Sequence, residues 1–113
     1  MSADAAASFE AKWALAHPEL PLALRFAAAP MRPVVSAFAC LAHEISHAAW
    51  HIVEPEVARS KLQWWAEELS AFAAGKPRHP LTMTLSTWPS MAGVTADAWS
   101  AVIAGALAQR EML

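Results

Sequence analysis

The densest group of reactive side chains in the sequence is the segment His43-Glu44-Ile45-Ser46-His47. Residues four apart on a helix share a face, so this spacing would bring two imidazoles together beside a carboxylate. In zinc peptidases the pattern His-Glu-x-x-His holds one metal ion while the glutamate activates the metal-bound water. A third ligand could come from His51, one turn later, or from Glu54 or Glu56. Residues His43, Glu44, His47 and His51 are therefore candidate zinc ligands.

The same five residues are also typical of a polar helix face with solvated histidines, because so short a pattern occurs by chance. Zinc peptidases hold an extended substrate along a strand. The sequence has no run of β-branched and aromatic residues that predicts a strand. The choice between the two interpretations depends on the elements that position the segment.

Prolines divide the chain into five or six predicted helices, since proline is tolerated in the first turn of a helix but not in its interior. We predict helices over residues 3–16, 21–29, 33–52 and 55–74, a short turn over 80–85, and a last helix from the N-cap Thr95 to the C-terminus. Gly75, followed by Pro77, marks the end of the fourth helix. The predicted fold class is all-α.

Apolar residues at three- and four-residue intervals predict the buried face of each helix. These residues are Phe9 and Trp13 in the first helix, Val34, Phe38, Leu41 and Ile45 in the third, and Leu62, Trp65, Leu69 and Phe72 in the fourth. Adjacent helix positions point about 100° apart. Of the neighbours Trp64 and Trp65, we therefore expect one in the core and the other in a groove or interface.

Composition limits the classes of function. A length of 113 residues predicts one domain, residues 1–113. A net charge of -2 with no basic stripe predicts no nucleic-acid partner. Cys40 is the single cysteine and cannot form an internal disulfide, and no signal peptide is evident, so we expect a cytoplasmic protein. The longest apolar stretches fall short of the roughly 20 residues of a transmembrane helix.

The segment from Met31 to His47 resembles the first aspartate-rich region of squalene/phytoene synthases. That family reads roughly Arg-x-x-x-x-x-Phe-Ala-Arg-x-x-Asp-Asp-Ile-x-Asp here. The matching positions are Arg32, Phe38, Ala39 and Ile45, whereas His43, Glu44 and His47 stand where the family has aspartates and Cys40 stands where it has arginine.

A second region strengthens the resemblance. Residues 61–69 and 75–81 are similar to the family's Leu-x-Trp-Trp-x-Glu-Glu-Leu and Gly-x-Pro-x-His-Pro stretches. The matches run in order from about Ala3 to Leu85. They imply the N-terminal half of an isoprenoid-synthase helical bundle. Family enzymes are more than twice this length and join two prenyl diphosphates head to head, using Mg²⁺ held by two aspartate-rich motifs.

The substituted motif changes the metal chemistry that the resemblance implies. Mg²⁺ prefers hard oxygen ligands, so His43 and His47 favour zinc or no metal, and Mg²⁺ is expected only from the family. Arg32, Arg59 and Lys61 are the candidate residues for binding a prenyl diphosphate.

Three hypotheses follow. The first is a catalytically degenerate family member that acts as a scaffold or prenyl-diphosphate-binding module. The second is an active prenyltransferase of isoprenoid biosynthesis, completed by further chain or a dimer partner. The third is a zinc-binding protein or hydrolase. Because a half-bundle leaves apolar surface exposed, we also expect a homo-oligomer or another protein partner.

Overall fold

The computed structural model describes residues Ser2–Leu113, with side chains from Ala5 onward, and this range contains helices but no strand. The helices are α1 (Ser2–Ala16), α2 (Glu19–Leu24), α3 (Arg32–Trp50), α4 (Pro55–Ala73), α5 (Pro80–Leu85) and α6 (Ala96–Glu111). Short 3₁₀-helices at Ala29–Met31 and Pro89–Gly93 precede α3 and α6. The predicted all-α class is confirmed.

The C-terminal end of α4 and the N-terminal end of α6 lie where Gly75 and Thr95 predict them. Gly75 has φ 79°, and its N–H donates to the carbonyl of Phe72 while that of Lys76 donates to Ala71. This is the Schellman arrangement that ends many helices at glycine. At the start of α6, the hydroxyl of Thr95 accepts from the N–H of Ala98 at 3.1 Å, so the predicted N-cap is confirmed.

The second helix differs from its prediction, because α2 covers Glu19–Leu24 instead of residues 21–29. The guanidinium of Arg32 explains the early end. Its Nε donates to the carbonyls of Leu24 and Ala27, both at 3.1 Å. These bonds satisfy carbonyls that a longer helix would have used internally. The third helix also ends at Trp50, two residues before the predicted end.

The third helix is the centre of the fold, since α3 packs against each of the other five helices. Its buried face includes Ala37, Leu41 and Ala48, whose small or compact side chains admit close neighbours. Phe38, predicted to be in the core, is instead 49% exposed. The buried stripe of α3 passes through Ala37 instead, so the ring of Phe38 lies at the side of this stripe.

None of the described helices is both long enough and apolar enough to cross a bilayer.

Candidate functional site

The carboxylate of Glu44 is the polar centre where three helices meet. It lies in the middle of α3 and is only 2% exposed. From α1, Nζ of Lys12 donates to Oε2 at 2.6 Å and Nε1 of Trp13 donates to the same oxygen at 2.8 Å. From α4, Nζ of Lys61 lies 3.2 Å from Oε1. Both carboxylate oxygens are therefore engaged by groups of this chain.

These contacts keep Glu44 ionised. Burial by itself would raise the pKa of the carboxyl, because it removes water from the charged form. The hydrogen bond from Lys12, the charge of Lys61 and the bond from Trp13 outweigh burial, and the pKa lies below its usual range. At neutral pH Glu44 is therefore an anion shared between two ammonium groups.

The two imidazoles of the His-Glu-x-x-His segment contact the indole of Trp13. Their ring centroids lie 5.4 Å (His43) and 5.7 Å (His47) from the centroid of that indole. His43 also stacks on His17, with centroids 4.0 Å apart and planes within 10°. Burial lowers the pKa of both imidazoles, with a further contribution from His17 at His43 and from Lys61 at His47. Both rings are thus neutral at pH 7.

The predicted zinc site is not assembled in this arrangement. Across the described residues, no three His, Cys, Asp or Glu side chains are grouped so that they could hold a metal ion. The ring centroids of His47 and His51 lie 5.8 Å apart, but the two rings do not form a metal site with a third ligand. The carboxylate that a peptidase would use on water is instead held by Lys12, Trp13 and Lys61.

Mg²⁺, on which enzymes of the squalene/phytoene synthase type typically depend, does not fit these residues either. Mg²⁺ requires several hard oxygen ligands in octahedral geometry. The positions of the family's aspartates here supply two imidazoles and one carboxylate, Glu44, whose oxygens already accept from ammonium and indole groups.

The three candidate cations for a diphosphate do not converge. Lys61 lies at the Glu44 centre. Arg32 is tied to backbone carbonyls after α2. Arg59 is exposed on α4. The sequence analysis did not identify Lys12. This residue lies 32 positions before its partner Glu44, and no spacing pattern links the two. The only available signal was the rule that a buried carboxylate needs a cation.

The second region of family resemblance, residues 61–69 and 75–81, connects α4 to α5 through hydrogen bonds. Glu68 is 1% exposed and accepts from the N–H groups of Arg78 and His79 and, at 2.6 Å, from the hydroxyl of Thr82. Nδ1 of His79 accepts from the N–H of Leu81 at 3.0 Å. His79 thus caps α5.

A recess of about 530 Å³ opens beside Glu44. It is lined by charged residues Lys12 and Lys61 and by aromatic rings that include Trp64 and His79. Trp64 is 47% exposed, whereas Trp65 is 1% exposed. The expectation that one of the two tryptophans packs in the core and the other lines a groove is confirmed.

Comparison with known proteins identified the family of the chain. Residues 16–110 match the family model described as squalene/phytoene synthase. The match extends beyond Leu85, where the resemblance in the sequence ended, through most of α6. No curated protein and no solved structure showed significant similarity to the chain.

Proposed function

Because this chain belongs to the squalene/phytoene synthase family, we propose that it is a member that has lost metal-dependent prenyl transfer and acts as a helical scaffold. The observation that carries the proposal is the engagement of Glu44. It is the one carboxylate at the positions of the first motif, and Lys12, Trp13 and Lys61 hold its oxygens. A metal ion would have to displace two ammonium groups to reach it.

The scaffold role is supported by a second feature, the outer face of α3. We use this name for Val35, Phe38, Ala42, Ser46 and Trp50, which are all exposed and uncharged. The opposite side of α3 is the core of the molecule. A helix that is apolar on both sides is normally buried on both sides. The outer face of α3 is thus a surface suited to a partner.

We take the partner to be a second copy of this chain. Val35 and Phe38 form one wall of an apolar groove of about 650 Å³, and Trp88, Met91 and Val102 line the rest. A two-fold interface uses the same patch on both subunits, so the groove and the exposed apolar residues beside it could bury one another in a dimer. Removal of such an apolar patch from water favours association.

Loss of the chemistry is tested by incubating the chain with a prenyl diphosphate and Mg²⁺ and measuring released diphosphate. We expect release at the rate of buffer alone, with or without Glu44→Gln. Mg²⁺-dependent release that disappears in this variant would refute the proposal. A parallel calorimetric titration with Zn²⁺ should give the same heat for the wild type and His47→Ala, whereas stoichiometric binding lost in the variant would favour the zinc hypothesis.

Self-association is tested by light scattering after size-exclusion chromatography. The wild type should have twice the monomer mass of 12.2 kDa. Phe38→Glu places a charge on the outer face of α3 and should give monomers. Phe26→Glu is the matched control, since Phe26 is 84% exposed and does not line the groove. A monomeric wild type, or a Phe38→Glu variant that remains dimeric, would contradict this interface.

A further inference from the structure

The recess beside Glu44 carries an excess of positive charge. Two ammonium groups, on Lys12 and Lys61, share the carboxylate of Glu44, so the charged groups that line the recess carry a net charge of +1. The pKa of His79, which also lines it, is lowered by burial more than the carboxylates Glu68 and Glu44 raise it, so its ring is neutral. A ligand with a single negative charge would therefore neutralise the net charge of the recess.

The lysines can reach a ligand without breaking their contact with Glu44. The side chain of Lys12 is 50% exposed and that of Lys61 is 35% exposed, whereas that of Glu44 is 3% exposed. Each ammonium group has three hydrogen-bond donors, and the contact with the carboxylate uses one. The remaining donors of these partly exposed lysines can therefore bond to a ligand in the recess.

The walls of the recess are aromatic. Phe9 lies 4.8 Å from His79 between ring centroids, and Trp64 lies 5.6 Å from the same imidazole. Trp64 is about half-exposed, so its ring contributes apolar surface to the recess that Lys12 and Lys61 also line. The recess has a volume of about 530 Å³ and is open to solvent, so a small molecule can enter it. Charge and apolar surface side by side favour an anion attached to an apolar body.

We propose that Lys12 and Lys61, together with the aromatic wall of Phe9 and Trp64, form a metal-free binding site for an organic oxyanion. Its ligand class is a phosphate monoester or carboxylate joined directly to an apolar group. The two ammonium groups supply the positive charge that a divalent cation would otherwise bring to such an anion. The site does not depend on self-association through the outer face of α3.

The probe for this site is phenyl phosphate, titrated into the full chain in low salt with EDTA present. Binding is measured by calorimetry and by the NMR signals of the indole N–H groups of Trp64 and Trp65. We expect phenyl phosphate to bind, inorganic phosphate to bind more weakly and phenol to give no heat. Equal binding of phenyl phosphate and inorganic phosphate would overturn the role of the aromatic wall.

Variants test the charges. Lys12→Met should weaken phenyl phosphate binding about tenfold, the usual contribution of one charge-assisted hydrogen bond. Lys12→Arg should restore it, and circular dichroism verifies that each variant is folded. Lys76→Met removes an equal charge from an exposed position outside the recess and should leave binding unchanged. Equal affinities for the wild type and Lys12→Met would overturn the proposal.

Glu44→Gln separates this site from a metal site. Removing the carboxylate raises the net charge of the recess, so phenyl phosphate should bind several-fold more tightly. A site that worked through a metal on Glu44 would lose binding in this variant and in EDTA, and that result would overturn the proposal. Failure of phenyl phosphate to bind leaves the proposed loss of prenyl transfer intact, because diphosphate release from a prenyl diphosphate tests that loss separately.

Discussion

Replacing Glu44 by Gln removes the charge that joins α1, α3 and α4 while the size of the side chain is kept. The contacts with Lys12 at 2.6 Å and Lys61 at 3.2 Å each involve a lysine that is a third to a half exposed. Water screens such pairs, so each contributes at most about 1 kcal/mol. The amide oxygen of Gln can still accept from Trp13. We therefore expect the free energy of unfolding at pH 7 to fall by about 1–2 kcal/mol.

The measurement is urea denaturation followed by circular dichroism, at pH 7 and at several lower values. Glu67→Gln is the matched control, because Glu67 is exposed on α4. It should change the free energy of unfolding by no more than about 0.5 kcal/mol. In a chain of this size, a loss of 1 kcal/mol also lowers Tm by roughly 4 °C.

The pH dependence gives a second, independent check. The pKa of Glu44 is lower in the folded protein than in the unfolded chain. Its stabilising contribution is therefore fully present above the unfolded pKa of about 4.3 and is lost as the pH falls through the folded pKa. The difference between the wild type and Glu44→Gln should shrink below about pH 4. Equal stability at pH 7, or a difference that stays constant down to pH 3, would refute the stabilising role of the ionised carboxylate.

Three further outcomes follow from other parts of the fold. Gly75→Ala should cost about 1 kcal/mol in urea denaturation because φ is 79°, whereas Gly93→Ala, which has open space and no positive φ, should be neutral. Glu68→Ala should cost about 3 kcal/mol in the same assay, far more than Glu67→Ala, since three buried or partly buried donors lose their acceptor. Cys40 is fully buried, and burial raises its pKa to about 11, so iodoacetamide should label it only in denaturant.

Helix boundaries were predictable where a single residue determines them. Pro55 begins α4, Gly75 ends it, and Thr95 caps α6. In each case the signal acts within a few residues. The end of α2 was not predictable in this way, because it depends on bonds from Arg32, eight residues beyond Leu24, across two intervening turns.

The buried face of α3 could be predicted only in part. Val34, Leu41 and Ile45 are buried as expected, but Phe38 is half exposed. Hydrophobic periodicity identifies a core face only when the other face is polar. The outer face of α3 is mostly apolar as well, so the sequence contained two apolar stripes and no local reason to choose between them.

The sequence directed attention to the segment around Glu44, but it did not predict the contacts of that carboxylate. The segment around Glu44 and the family resemblance both pointed to the middle of α3. What Glu44 does depends on Lys12 and Trp13, which lie 32 and 31 residues earlier and come close only when α1 packs on α3. No spacing rule links residues so far apart, whereas the two histidines four residues apart were conspicuous and are not assembled into a metal site.

Electrostatics connects the proposed loss of the metal with the site proposed for an organic anion. Three aspartates would place three negative charges at the motif and would need a divalent cation. Here His43 and His47 are neutral, since their pKa values are lowered, and Glu44 contributes a single negative charge. Lys12 and Lys61 already exceed that charge by one. A divalent cation would therefore be repelled, whereas an anion would be attracted. The exchange of aspartates for histidines thus disfavours a metal and favours direct binding of an anion.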